Sequence, residues 1–475
     1  MTDNPRNRQA EPLPPPPATF HFIGIGGIGM SGLARILKMW GYEVSGSDIA
    51  ESDQTARLRE MGIPVVIGHN DPVYASRANI LVTNKRAAAN ASVEIEAGLA
   101  NGARVIKRGD LLGMAASERF GIAVAGSHGK STTSGMLSVA LRTLDADPTF
   151  AVGAIVAATG TNAEPGNGRH FVVEADEFDR SFHGLFPNVA IITSVAFDHP
   201  DIYADQQEYD EAFIEFVRNI KPNGTLIIAG DDEGAGRVIP ELQSLDRDDL
   251  SVQTFGEDTG FDWALRGDAS KRVLTDPSGA DHELHLKMPG KHNARNAVAA
   301  IAALHAAGFT VADAVRGVES FTGIGRRFEF KGQINGVDVI DDYAHHPDEI
   351  TAVLHAAREH YACKRIIAVH QPHTYSRTWS LMDAFAASLD LADDVVLMEI
   401  YGVGEVNEHG ISAADLGAKM KVQPTIVATP EEAAATVRAI LGDDSDAVVL
   451  TLGAGTITAV GPILVHGFQA STGGD

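Results

Sequence analysis

The chain has 475 residues, 44% of them hydrophobic, with a mean hydropathy of −0.03. It is too long for one core and predicts about three globular domains at roughly 150 residues each. A formal net charge of −25 excludes nucleic acid and anionic membrane as general partners, because either needs a basic face. The single cysteine, Cys363, excludes an intramolecular disulfide and a cysteine-rich zinc site, and reads as a small core residue in a reducing cytoplasm.

No apolar run is long enough to span a bilayer, and the N-terminus lacks the pattern of a signal peptide. Residues 1–19 are polar and then proline-rich, Glu11-Pro12-Leu13-Pro14-Pro15-Pro16-Pro17, which predicts a disordered or polyproline arm. Folded chain then begins with an apolar strand, Phe20-His21-Phe22-Ile23, that runs into Gly24-Ile25-Gly26-Gly27-Ile28-Gly29, a helix over 30–40 and a second strand ending in Asp48. This is a βαβ start carrying G-x-G-x-x-G. The motif specifies a diphosphate on a helix N-terminus, with Asp48 placed for ribose hydroxyls; NAD and a UDP-sugar satisfy it equally.

A second glycine loop follows the apolar run Gly121-Ile122-Ala123-Val124-Ala125: Gly126-Ser127-His128-Gly129-Lys130-Ser131-Thr132, leading into a helix. Its glycines let backbone N–H groups turn onto phosphate oxygens, Lys130 adds a point charge, and Ser131 places a hydroxyl where a magnesium ion binds. The loop predicts a nucleoside triphosphate, although Val124 stands where a longer phosphate-loop motif has its first glycine. Two later strands end in Glu174-Ala175-Asp176-Glu177 and in Asp198-His199. Strand C-termini are where open parallel sheets bind ligands, so Glu174, Glu177, Asp198 and His199 are expected to converge near the loop and to hold Mg2+ or Mn2+. Taken singly, each carboxylate fits a helix N-cap as well. Further on, Asn293 and Asn296 stand three apart at the start of an Ala-rich helix, on one face, where their amides suit an adenine edge or a ribose; either also fits a cap.

From Gly325-Arg326-Arg327-Phe328 a third α/β segment begins. Its strands end in Asp341-Asp342-Tyr343-Ala344-His345-His346-Pro347, in His370-Gln371-Pro372-His373-Thr374-Tyr375-Ser376-Arg377, in Glu399-Ile400-Tyr401-Gly402 and in Gly453-Ala454-Gly455-Thr456. An edge dense in His and Arg within so acidic a chain predicts a local site for a carboxylate or phosphate.

Together, the two glycine loops, Gly-Lys-His-Asn-Ala-Arg-Asn at 290–296 and the third segment resemble the Mur ligases, the ATP-dependent amide-forming enzymes of peptidoglycan precursor synthesis. The resemblance covers roughly residues 20–465. It is strongest to the alanine-adding branch, through Gly24 to Gly32, Glu174-Ala175-Asp176-Glu177, Asp198-His199, the Asp341 to Pro347 run and Gln371 to Thr378. It implies an α/β fold of three domains: a Rossmann-like UDP-binding domain over 20–112, a central P-loop ATPase-type domain over 113–325 and a C-terminal Rossmann-like domain over 326–475.

The implied reaction joins L-alanine to the carboxylate of UDP-N-acetylmuramate through an acyl phosphate, releasing ADP and phosphate. Lys130 would hold the β,γ-phosphates, and Ser131, Glu174 and His199 the metal ions. Asn293 and Asn296 would hold adenine, and Arg327 the transferring phosphate. Gly24, Gly26, Gly27, Gly29, Met30, Ser31 and Asp48 would bind the UDP-sugar, and Tyr343, His345, His373 and Arg377 the amino acid. The implied partners are these small molecules alone, for a cytoplasmic monomer or weak homodimer. Three departures stand out: serines at 127 and 131 where threonine is common, Thr83-Asn84 where relatives tend to show a hydroxyl pair, and the run from Glu399 to Glu405. No lysine occurs between His199 and Lys221, which agrees with the alanine-adding branch, because other Mur ligases carry a carbamylated lysine there. The nearest rival is the murein-tripeptide recycling ligase, which has Glu-Pro-Arg-Ser where this chain has Gln371-Pro372-His373-Thr374. An NAD-linked oxidoreductase, read from the first glycine loop, leaves Lys130, Glu174 and His199 without work. A non-catalytic nucleotide-binding regulator leaves the rest of the apparatus unexplained.

Overall fold

The computed structural model describes residues 11–84, 87, 90–199, 202–362 and 364–467; Cys363 lies outside them. Three sheets organise the chain. The first is built of β1 (Thr19–Ile23), β2 (Glu43–Asp48), β3 (Val65–Ile67), β4 (Ile80–Thr83) and β5 (Arg104–Lys107), in the order β3-β2-β1-β4-β5 and parallel throughout. The order reverses between β1 and β4, the switch point at which such sheets take ligands. Phe20 and Phe22 of β1 and Leu81 and Val82 of β4 are fully buried, as near-continuous apolar runs require when helices cover both faces.

The second sheet has ten strands. In chain order they are β6 (Phe120–Ala125), β7 (Thr149–Val156), β8 (Thr161–Glu164), β9 (His170–Glu174), β10 (Val189–Ile192), β11 (Thr225–Ala229), β12 (Ser251–Glu257), β13 (Trp263–Asp268), β14 (Lys271–Thr275) and β15 (Asp281–Leu284). Their spatial order is β15-β14-β13-β12-β11-β10-β6-β9-β7-β8. β6 lies between β9 and β10, parallel to both, so the C-terminal ends of those two strands flank the loop that leaves β6. Antiparallel pairs close both margins, β7 with β8 and β14 with β15.

The third sheet comprises β16 (Glu329–Ile334), β17 (Val337–Asp342), β18 (Arg365–His370), β19 (Asp394–Met398), β20 (Thr425–Val427) and β21 (Ala447–Leu452), in the order β16-β17-β21-β18-β19-β20. All its pairings are parallel except β16 with β17.

The chain clusters into two compact units. One holds the first and second sheets; the other holds residues 287–294 and everything from 323 onward, with the third sheet. Within the first unit a single apolar cluster runs from Phe20 and Phe22 through Leu111 and Met114 to Phe171 and Phe213. The boundary expected between 112 and 113 falls inside the helix Arg108–Ser117, whose buried residues join that shared core. Of the proline-rich arm over residues 1–19, residues 11–18 are described, and they lie against the first unit. Leu13 and Ala18 are buried, the Tyr42 hydroxyl donates to the Pro14 carbonyl at 3.0 Å, and Arg104 pairs with Glu11 at 2.5 Å. A polyproline stretch has no internal hydrogen bonds to lose, so laying it along a folded surface leaves little backbone unsatisfied. No described helix is long and apolar enough to cross a membrane.

Candidate functional site

The loop after β6 is shaped by two glycines that no other residue replaces without strain. Gly126 has φ +133°, and a Cβ there would lie 2.1 Å from Thr193 Oγ1; at Gly129, with φ +84°, it would lie 2.6 Å from Asn296 Oδ1. The loop is pinned to the end of β10: Ser127 N–H donates to the Ser194 carbonyl at 3.0 Å, His128 N–H to Ser194 Oγ at 3.0 Å, and Thr193 Oγ1 to the His128 carbonyl at 2.5 Å. Gly129 caps the helix Lys130–Thr143 without any side-chain acceptor. Its first-turn N–H groups are thus presented to an anion, with Ser131 and Thr132 buried beside them. Ser127 is tied inward, its hydroxyl 2.9 Å from the Tyr209 hydroxyl.

Lys130 closes this loop. Its ammonium donates to the Gly126 carbonyl at 2.5 Å, to the Ser127 carbonyl at 3.3 Å and to Glu177 Oε1 at 2.8 Å, so all three donors are aligned by the protein. Burial works to lower the lysine pKa, but Glu177, Asp176 and Glu174 outweigh it and the net shift is upward. Glu177 is 1% exposed; burial pushes its carboxyl up to about 7 against the pull of Lys130. His199, at φ +58°, places Nε2 3.8 Å from Glu177 Oε1 and 3.7 Å from Asp198 Oδ2. Glu174 ends β9, and its Oε2 accepts the Gly153 N–H at 2.7 Å. The oxygen donors among the expected metal residues, Ser131 and Glu174, are of the kind that Mg2+ and Mn2+ take, and His199 reaches Glu177 and Asp198.

Asn293 and Asn296 occupy the first turns of the helix Lys291–Ala306, which begins earlier than the Ala-rich run alone indicates. Asn293 Nδ2 donates to the Pro289 carbonyl at 2.6 Å, while Asn296 sits beside Gly129 of the phosphate loop.

The first glycine loop uses the same backbone device with different side chains. Gly24 has φ +81°, and Gly27 caps the helix Ile28–Met39 with no side-chain bond and no acid in the first turn. Asp48 Oδ2 accepts the Gly26 N–H at 2.7 Å and Oδ1 the Ile49 N–H at 2.8 Å, so the carboxylate shapes the loop. Met30 and Ser31 face inward: Met30 joins the core, and the Ser31 hydroxyl donates to the Ile28 carbonyl at 3.1 Å. These two therefore offer packing and backbone, not exposed side chains. Arg108, missed in the sequence because it follows β5, lies beside the loop; a Cβ on Gly29 would be 3.2 Å from its Nη1.

In the second unit the strand ends gather the residues expected to bind an amino acid. Tyr343 and His345 meet edge to face with ring centres 5.0 Å apart, and His345 and His373 do so at 5.8 Å. Arg377, 7% exposed, places Nη1 3.4 Å from His373 Nδ1. Arg327 lies over the Tyr343 ring at 5.3 Å, with Nη1 4.0 Å from Asp342 and 3.6 Å from Glu349. Burial raises the Asp342 carboxyl to about 6 although Arg327 opposes the shift. Glu349, which no motif flagged, touches both Arg327 and His345.

A phosphate loop with a buried lysine on a parallel sheet, in a chain of three α/β sheets, defines an enzyme class that acts on nucleoside triphosphates. The chain belongs to the Mur ligase family. It matches the Mur ligase family catalytic domain over residues 19–120, the Mur ligase middle domain over 124–304 and the Mur ligase glutamate ligase domain over 326–455. It is similar to the UDP-N-acetylmuramate--L-alanine ligase of Nitratidesulfovibrio vulgaris, at 38% identity over 461 residues, 94% of this chain and 98% of that one. The enzyme of the same name from Thermobifida fusca is 39% identical over 459 residues, 94% and 96% of the two chains. The crystal structure of UDP-N-acetylmuramate-alanine ligase from Thermotoga maritima superimposes with a TM-score of 0.75 at 29% identity, covering 96% of this chain and all of that one.

Proposed function

We propose that this protein joins L-alanine to the carboxylate of UDP-N-acetylmuramate, with ATP converting that carboxylate to an acyl phosphate and leaving as ADP. The observation that carries the reading is Lys130, its ammonium held by two loop carbonyls and the buried Glu177, in a chain whose full-length relatives bear the name of that alanine ligase. The muramate carboxylate attacks the γ-phosphorus, and the amine of alanine then displaces phosphate from the acyl carbon. Preorganised cations aimed at the transferring phosphoryl group are the main service a protein supplies here. In this reading Lys130 and Arg327 would supply that charge, and Ser131, Glu174 and His199 would hold Mg2+ or Mn2+, which adds charge neutralisation at the phosphates.

The first glycine loop, shaped by Asp48, takes the diphosphate of the UDP-sugar. Tyr343, His345, His373 and Arg377 take the amino acid, with Arg377 forked on its carboxylate. Three functional divisions follow, near 20–112, 113–325 and 326–475, in a cytoplasmic enzyme whose partners are small molecules. The test is phosphate release from ATP with UDP-N-acetylmuramate and each amino acid in turn. Release dependent on L-alanine is expected. Release with the murein tripeptide and none with L-alanine would reassign the enzyme to peptide recycling, and turnover seen as a nicotinamide absorbance change would revive the oxidoreductase.

A further inference from the structure

The amine of an amino acid arrives protonated at neutral pH, and only its lone pair attacks an acyl carbon. A group must therefore take one proton before the amide bond forms. In the second unit, His345 Nδ1 lies 3.1 Å from the Tyr343 carbonyl oxygen and 3.1 Å from Glu349 Oε2. Both partners are acceptors, so Nδ1 carries the hydrogen and Nε2 carries the lone pair. The backbone holds the arrangement, because the His345 N–H donates to the same Glu349 oxygen at 3.0 Å. No described residue bonds Nε2, and the side chain is 17% exposed, which leaves that nitrogen accessible to a ligand. A base oriented through its far nitrogen by a carboxylate is the arrangement that general-base chemistry uses.

We propose that His345 Nε2 accepts the proton from the ammonium of the incoming amino acid, with Glu349 and the Tyr343 carbonyl setting its tautomer. The step rests on the ligase reading above. One ammonium proton passes to Nε2. The freed nitrogen lone pair forms the C–N bond at the acyl phosphate while the carbonyl π pair moves onto oxygen. Collapse breaks the C–O bond, phosphate departs with that electron pair and takes the second nitrogen proton, and the imidazolium returns its proton to water. The charged and titratable groups that face His345 within this unit are Glu349, Tyr343, His373 with Arg377 behind it, and His370, whose pKa burial drives down to about 4.

The experiment compares His345→Gln with the wild-type enzyme, using L-alanine and 3-fluoro-L-alanine as acceptors across a pH series. Fluorine makes the ammonium more acidic while leaving the carboxylate and the size of the side chain nearly unchanged. The acyl-phosphate step is read separately, as ADP–ATP exchange dependent on UDP-N-acetylmuramate. Expected is a loss of about 10²–10³-fold in kcat/KM with L-alanine at neutral pH, with exchange retained. That loss should shrink by about tenfold or more with fluoroalanine, and again as pH rises. Equal losses for both acceptors at every pH, or loss of exchange, overturn the proposal and leave His345 as a positioning residue. If His345→Gln does not fold, Glu349→Gln, which keeps the imidazole but removes the charged acceptor at Nδ1, should show a smaller loss with the same dependence on acceptor; no dependence overturns the step. A wild-type enzyme inert toward L-alanine overturns the ligase reading and this step together, whereas failed fluoroalanine rescue overturns this step alone.

Discussion

The two glycine loops of the first unit start from one device and diverge in what surrounds it. Each leaves the end of a central parallel strand, turns through a glycine at positive φ and caps a helix with a glycine that offers no side-chain acceptor. Around the loop after β6 the chain places a buried lysine against Glu177, with His199 beside it. Around the loop after β1 it places an aspartate that bonds the loop itself and an arginine at its flank. The backbone of both is suited to hold phosphate; the side chains decide whether phosphate is only held or also transferred.

The sharpest way to break this comparison is Lys130→Ala. If the second loop transfers phosphate, the folded variant should lose at least about 10³-fold in turnover, because the loop then carries no charge against the transferring group. Near-normal turnover would reduce that loop to another holding site. A second contrast separates the backbones. A methyl at Gly126 meets Thr193 Oγ1 at 2.1 Å in a conformation side chains rarely adopt, whereas at Gly27 the nearest atom is a carbonyl oxygen at 3.4 Å with φ −61°. Gly126→Ala should therefore cost about 2–4 kcal/mol by chemical denaturation and Gly27→Ala within about 0.5 kcal/mol. Equal costs would mean that the two loops are not packed differently.

Much of this was legible in the sequence, and the reason is local. Glycine spacing and an adjacent lysine are written within a few residues of one another, so both loops could be read directly, while the meeting of Glu177 with Lys130 and of His199 with Glu177 followed from the rule that parallel strands gather their C-terminal ends. What was not legible depends on residues far apart in the chain. Arg108 reaches Gly29 from after β5, and Tyr209 reaches Ser127 from another helix. The buried set of His21, Ser45, Ser47, His69 and Glu94 ties β1, β2 and the helix Ser92–Ala100 by bonds such as Ser47 Oγ to Glu94 Oε2 at 2.8 Å, without a motif to announce it. Glu349 escaped notice because its position in a helix first turn is what any N-terminal acid would occupy.

Arg377 of the second unit supplies a control, because the role proposed for it is recognition of a carboxylate and not of phosphate. Arg377→Lys removes a planar fork that a point charge cannot reproduce. It should raise the KM for L-alanine roughly tenfold or more while leaving those for ATP and the UDP-sugar little changed. Equal loss for all three substrates would make Arg377 structural.

The smallest effect on substrate binding is expected at Asp48, and it tests the first glycine loop most directly. Its two carboxylate oxygens accept the Gly26 and Ile49 N–H groups at 2.7 and 2.8 Å, so Asp48→Ala frees two donors and loosens the loop by about 1–1.4 kcal/mol. That should appear as a five- to tenfold rise in the KM for UDP-N-acetylmuramate, by the usual conversion of about 1.4 kcal/mol per factor of ten, with the KM for ATP unchanged. Asp48→Asn separates shaping from direct contact. An amide oxygen still accepts from Gly26 but sets an NH2 group against the Ile49 N–H, so a shaping role predicts partial recovery. A carboxylate that itself holds the ribose hydroxyls predicts some recovery too, because an amide also bonds hydroxyls, but the remaining deficit should then vanish with a UDP-sugar analogue lacking the ribose hydroxyls. If the analogue binds wild type and Asp48→Ala with the same ratio as the natural ligand, Asp48 acts on the loop and not on the ribose.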